Sequence, residues 1–262
     1  MSSYPSSWFR QGSVGQLFQV GKRISLSHPQ PTNWEVVDIL HEHAAQLPKG
    51  AAGPSLASLL LRCTQIGGCQ QKAMMRIVMQ IPEIDTELED STVRAKQAYP
   101  RAYRTKEFQA FSTLTRRGST ITPRFIGYCD GRQGPSGLVP GGFLSYYAWE
   151  IVPGSQLGDY TGKATMFWTL GQQEREEIRA AFRETFVQIT AMGIWPDAAG
   201  AANLVWDFNT RTLYWVGFRN CDKWTKSNKW DDAWLAFFDL VKTPNRLWLR
   251  PDWNHDTSGW IY

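Results

Sequence analysis

The stretch from Gln172 to Phe218 constrains the fold more than any other part of the chain. Its first part, QQEREEIRAAFRETFVQITAM, sets Ile178, Phe182, Phe186, Ile189 and Met192 at helical spacing, so one face is apolar. Thr169 and Gln172 predict a capping box at the start. Gly193 stands where a helix stop is expected, since glycine accepts the left-handed conformation without strain. GIWPDAAGAANLVWD then reads as a loop running into a strand, and FNTRTLYWVGF as a turn and a second strand.

The rest of the chain supplies the setting. VGQLFQVGKRISLS predicts one or two edge strands, and Trp34–Leu47 a short helix, with Val36, Val37, Leu40, Ala44 and Leu47 apolar. LASLLLRCTQI and CQQKAMMRIVMQIP flank Gly67-Gly68 and predict a hairpin over 56–82, its second arm alternating Met75, Ile77, Met79 and Ile81 against Arg76. The acidic run 83–91 reads as a solvated loop. Residues 92–117 predict helix interrupted at Pro100, with Phe108, Phe111 and Leu114 inward and Gly118 as a stop. TITPRFIGYCDG and GGFLSYYAWEIV predict strands, and 223–240 a helix. The pattern is α+β, with a boundary near Pro153-Gly154: a β-rich lobe with one main helix over 1–152 and a helical lobe over 153–262.

Composition narrows the function classes. A chain of 262 residues, 42% hydrophobic and 20% charged, is an ordered globular protein large enough for two lobes sharing a cleft. Net charge is +4 and the only dense basic pair in the middle of the chain is Arg116-Arg117, which argues against a nucleic-acid partner and reads as a solvated helix end. No signal-peptide core and no window near the roughly 18 apolar residues of a membrane span is seen, so no membrane partner and a cytoplasmic location are expected. Cys63, Cys69, Cys129 and Cys221 lack C-x-x-C spacing and read as free thiols. His41 and His43 would not share a face on a helix, so no metal site is expected there. Eight of the thirteen Trp follow residue 200, and Trp195, Trp206 and Trp215 are expected in packing roles, with an aromatic-lined cleft as the alternative.

Four segments, in order, resemble the protein kinase-like superfamily, above all its aminoglycoside phosphotransferase-like branch and fungal relatives. AMMRIVMQIP resembles the third strand, with Arg76 where a phosphate-holding Lys is usual, and EFQAFSTL resembles the helix whose Glu pairs with it, making Glu107 the candidate. FLSYYAWEIVPGSQLGD resembles the inter-lobe hinge, where Glu150 to Pro153, Val152 included, would offer backbone groups to an adenine edge. Gln172–Phe218 resembles the catalytic loop and metal-binding turn. The resemblance implies a two-lobed kinase-like fold with a β-rich first lobe and a shortened helical second lobe.

Phosphoryl transfer in such a fold rests on positioning and charge: an Asp orients the attacking hydroxyl, an Asn five residues on holds one Mg²⁺, and a second Asp holds the other. Asn203 fits the Asn; the position five residues before it is Ala198, with Asp197 one residue away; Gly217 stands at the second Asp. Magnesium needs hard oxygen ligands, which a glycine lacks. ATP and Mg²⁺ are therefore not expected as cofactors, and no metal ligand is assigned. Two classes stay open. One is a pseudokinase scaffold or interaction module with a protein partner. The other is a cleft that binds a small molecule or carries repurposed, biosynthetic chemistry of secondary metabolism, with Asp197, Arg76 and Glu107 as catalytic candidates. A residual small-molecule phosphotransferase is the third possibility.

Overall fold

The computed structural model describes residues 7–10, 18–67, 70–159, 161–197, 200–224 and 230–262. The chain is a mixed α and β protein with one large sheet and few helices, and it divides into two compact units. The first unit is Met1–Arg104 with Phe125–Ile151; the second is Thr105–Arg124 with Val152–Tyr262.

The first unit is built on six antiparallel strands: β1 (Arg23–Leu26), β2 (Thr32–Ala45), β3 (Leu56–Gln65), β4 (Lys72–Gln80), β5 (Phe125–Arg132) and β6 (Phe143–Glu150). Their spatial order is β1-β2-β3-β4-β6-β5. The expected hairpin is β3 with β4, paired from Leu56 opposite Gln80 to Thr64 opposite Lys72; Gly67 turns at φ +79°, and Gly68 lies outside the described residues. Alternation along β4 sends Ala73, Met75, Ile77 and Met79 to one face, fully buried with Trp34, Val36, Leu61 and Cys63. Full burial of a Met or Ile side chain stabilises by about 1.5–3 kcal/mol, so this face holds the unit together. A short helix, α1 (Ser91–Ala95), follows the acidic run; Asp90 caps it by accepting the Thr92 N–H at 2.8 Å.

The helix expected over Trp34–Leu47 is instead the long strand β2. Its apolar residues do not gather on a helical stripe: Trp34 and Val36 are buried while Val37, Ile39 and Leu40 are exposed. Pairing with β3 along nearly its whole length, with irregularities at Val36/Asp38 and Ile39/His41, outweighed the local pattern. On this strand His41 and His43 sit opposite Leu60 and Ser58, as alternate residues of a strand rather than of a helix. Among the described residues no group of three His, Cys, Asp or Glu is placed to hold a metal ion.

The second unit contains α2 (Lys106–Arg116), α3 (Gln172–Ala191) and α4 (Ala233–Phe237). Its strands are short: β7 (Ser155–Gln156), β8 (Ile194–Trp195), β9 (Leu204–Asp207), β10 (Thr212–Trp215) and β11 (Asp222–Lys223). Strand β9 lies between β10 and β7, and β8 pairs with β11. Thr105 caps α2 by accepting the Phe108 N–H at 3.1 Å, and Gly118 stops it at φ +73°. The face of α3 is as expected: Ile178, Phe182, Phe186 and Ile189 are buried, Trp215 stacks on Phe182 with centroids 5.1 Å apart, and its indole N–H donates to Thr185 Oγ1 at 2.9 Å.

Two local expectations fail here. The capping box is absent, because α3 begins after Gly171 and Gln172 is already helical; Thr169 donates to the Met166 carbonyl instead. Glu174 in the first turn meets the helix dipole in its place. The helix expected over 223–240 shrinks to α4, since Asp222–Lys223 is a strand; residues 225–229 lie outside the described residues. Among the described residues no helix is long and apolar enough to cross a membrane. Cys63, Cys129 and Cys221 are free thiols, and Cys69 lies outside the described residues.

Candidate functional site

In the second unit the chain leaves α3 through Gly193 at φ +70° and enters β8, where the Trp224 N–H reaches the Gly193 carbonyl at 2.9 Å. Asp197 follows in a tight turn, its backbone N–H on the Trp195 carbonyl at 3.0 Å and its side chain exposed. Ala198 lies outside the described residues. Gly200, at φ +124°, opens a 3-10 turn over Ala201–Asn203 that delivers Asn203 to the start of β9. Asn203 is then tied across to the end of β10, since its carbonyl accepts the Val216 N–H at 2.8 Å.

The next residue after Val216 is Gly217, which lies against the Asn203 side chain. A Cβ built on Gly217 would stand 1.6 Å from Asn203 Oδ1, 2.3 Å from its Cγ and 2.8 Å from its Cβ. The Asn203 side chain therefore occupies the space that any side chain at 217 would need. Phe218 beyond it is fully buried and meets Phe111 of α2 edge-on at 5.2 Å. Gly217 brings no carboxylate, and the Asn203 carboxamide is turned onto the glycine. These residues do not fit the pair of oxygen ligands that a phosphoryl-transfer metal site requires.

Other acids of this unit are committed to structure. Asp207 is buried and closes the β9–β10 turn, accepting from Asn209 N at 3.0 Å and Thr210 Oγ1 at 2.7 Å. The Thr210 hydroxyl first, then the Asn209 amide, hold its carboxyl below the usual range. Asp222 on β11 takes Lys106 Nζ at 2.6 Å, and that contact raises the Lys106 ammonium above its ordinary value. Glu107, next along α2, is buried in the first turn. Val152 opens the second unit and is half-buried.

Arg76 and Glu150 belong to the first unit. Arg76 is buried on β4, opposite Leu60 of β3 and Tyr147 of β6, with its guanidinium 5.7 Å from the Trp149 ring centroid. Glu150 pairs with Ala73, so alternation puts it on the other face of the sheet from Arg76, with Gln71 Nε2 at 3.4 Å. The structure thus brings Asn203 together with Gly217 and sets Glu150 apart from Arg76. Reasoning from sequence missed the Lys106–Asp222 pair, because residues 116 apart carry no shared local signal. It also missed the seating of Asn203 on Gly217, although the glycine itself was the clue.

No family model and no curated protein sequence matches the chain. Among solved structures, it is similar to the kinase PK-1 of Cydia pomonella granulovirus at 11% identity and a TM-score of 0.41, over 76% of this chain and 55% of that one. The chain thus spans about half the length of that protein, and a likeness at this level carries no argument about function.

Proposed function

We propose that the chain is a degenerate kinase-like protein of the aminoglycoside phosphotransferase-like, fungal type that no longer performs magnesium-dependent phosphotransfer and works by binding. The observation that carries this is the Asn203–Gly217 contact: a position that would have to hold a metal-binding carboxylate holds a glycine, and the neighbouring carboxamide fills the vacated volume. The order of elements supports the kinase-like assignment. A strand with a buried basic residue (β4, Arg76), a helix with a buried acid in its first turn (α2, Glu107) and a strand leading into a Pro-Gly linker (β6) follow one another as the resemblance implies. The ligand we propose is a small molecule, with Arg76 as its charged contact and Asp197 free of any metal role.

The test is a thermal-shift and turnover series. A ligand at a hundred times its Kd stabilises a protein by about 2.7 kcal/mol, which is readily seen. The expected result is that Mg²⁺ adds nothing to whatever shift ATP alone produces, and that ATP is not turned over. ATP hydrolysis or transfer that disappears in Asn203→Ala, with the fold intact, would overturn the proposal.

A further inference from the structure

The second unit carries an open groove of about 910 Å³ between one side of α2 and the β8–β11 pair. Its charged lining is lopsided. Lys106, Arg116, Arg117 and Lys223 stand along it with a single carboxylate, Asp222, which is engaged by Lys106 at 2.6 Å. Among the described residues no carboxylate is bonded to Arg116, Arg117 or Lys223, and all three are exposed. Cations in the last turn of a helix are favoured by its dipole, which accounts for Arg116 and Arg117. It does not account for Lys223, which comes from a strand on the opposite wall.

The length of the groove decides what it suits. Lys106 and Arg116 lie at the two ends of α2, about 15 Å apart along its axis at 1.5 Å per residue. Both residues line the groove, so a compact anion would fill only a fraction of its length. An extended chain at about 3.3 Å per residue covers that distance in four to five residues. The groove is also walled by apolar surface held rigid: Trp224 stacks on Trp195 with centroids 4.2 Å apart and planes at 18°. A run of alternating acidic and apolar side chains matches both the charge and the wall.

We infer that this groove docks an extended acidic segment of a partner polypeptide, with four to five of its residues in contact. The inference goes beyond the proposed loss of phosphotransfer and does not depend on it, because none of the groove residues named is Asn203 or Gly217.

The experiment uses the full chain and a fluorescein-labelled nonapeptide of alternating Glu and Leu, followed by anisotropy. The expected result is saturable binding that weakens at least tenfold in Arg116→Glu/Arg117→Glu and in Lys223→Glu, and that falls with added salt. Lys49→Glu, an exposed charge on the first unit, should leave binding within twofold. A Lys–Leu nonapeptide should bind the reversed double variant and not the native chain, which separates lost complementarity from misfolding. Equal binding of a Gln–Leu nonapeptide, or indifference to all the groove reversals, would overturn the inference. So would full displacement by millimolar inorganic phosphate at constant ionic strength, or tighter binding of a single-stranded oligonucleotide through the same residues.

Discussion

Placing a methyl group on Gly217 probes the core of the argument. In Gly217→Ala the new Cβ meets Asn203 Oδ1 at 1.6 Å and Cγ at 2.3 Å, far inside the contact distance of about 3.5–4.0 Å at which atoms attract. The Asn203 side chain must swing away, yet its backbone is held by the 2.8 Å bond from Val216 N. Overpacking of this kind costs about 1–3 kcal/mol, and loss of the carboxamide's own hydrogen bonding adds about 1 kcal/mol. At roughly 2–4 °C per kcal/mol for a chain of this size, the melting temperature should fall by about 4–16 °C. The decisive measurement is a double-mutant cycle in urea, read by Trp fluorescence, since ten of the thirteen Trp belong to the second unit. Asn203→Ala removes the two colliding atoms and leaves only the 2.8 Å contact with its own Cβ, so Gly217→Ala should cost about 1–2 kcal/mol less in that background. Additive effects within about 0.5 kcal/mol would mean that the two side-chain positions do not compete and that Asn203 does not fill the space at 217. By the same logic Gly217→Asp should not raise the affinity for Mg²⁺.

Other outcomes follow from the same structure. Gly154 sits at φ +110° with the Trp206 carbonyl oxygen 2.3 Å from where a Cβ would be, so Gly154→Ala should destabilise by about 3–4 kcal/mol in the same urea assay. Here the obstacle is backbone, so no side-chain truncation at 206 should rescue it. Asp130 is bonded by both terminal nitrogens of Arg104, which holds its carboxyl below the ordinary range near ~4. Its contribution to stability is therefore fully present above the unfolded-state value and is lost as pH falls through the lowered folded-state value. Arg104→Gln should flatten that acid limb of a stability–pH profile, and an unchanged limb would count against the pairing. Burial pushes the Cys63 thiol up to about 12 and the Cys221 thiol up to about 11. Alkylation of the native chain near neutral pH, read by peptide mass spectrometry, should label Cys129 well ahead of both, and rapid labelling of Cys63 would contradict the packing of the first unit.

Much of the architecture was legible in the sequence where a local signal and the tertiary environment agree. The apolar stripe of α3, the glycine that ends it, the two-residue alternation of β4 and the stop of α2 at Gly118 depend on spacing and on backbone freedom, which are properties of short stretches. Identity at a position was equally legible: a glycine at 217 can supply no carboxylate in any fold. The tertiary structure decided the rest, for reasons that spacing does not encode. Trp34–Ala45 carries a helix-like scatter of apolar residues, but the hydrogen bonds offered by β3 made it a strand and left Val37, Ile39 and Leu40 in solvent. The helix anticipated after Asp222 gave way to a strand because β8 was there to pair with it. Lys106 found Asp222, and Asn203 filled the space at Gly217, only because the chain returns to the same place after long separations. The sequence alone determined that position 217 brings neither a side chain nor a carboxylate. Only the folded chain decided that its place is filled, because steric exclusion acts between atoms in space and not between positions along a chain.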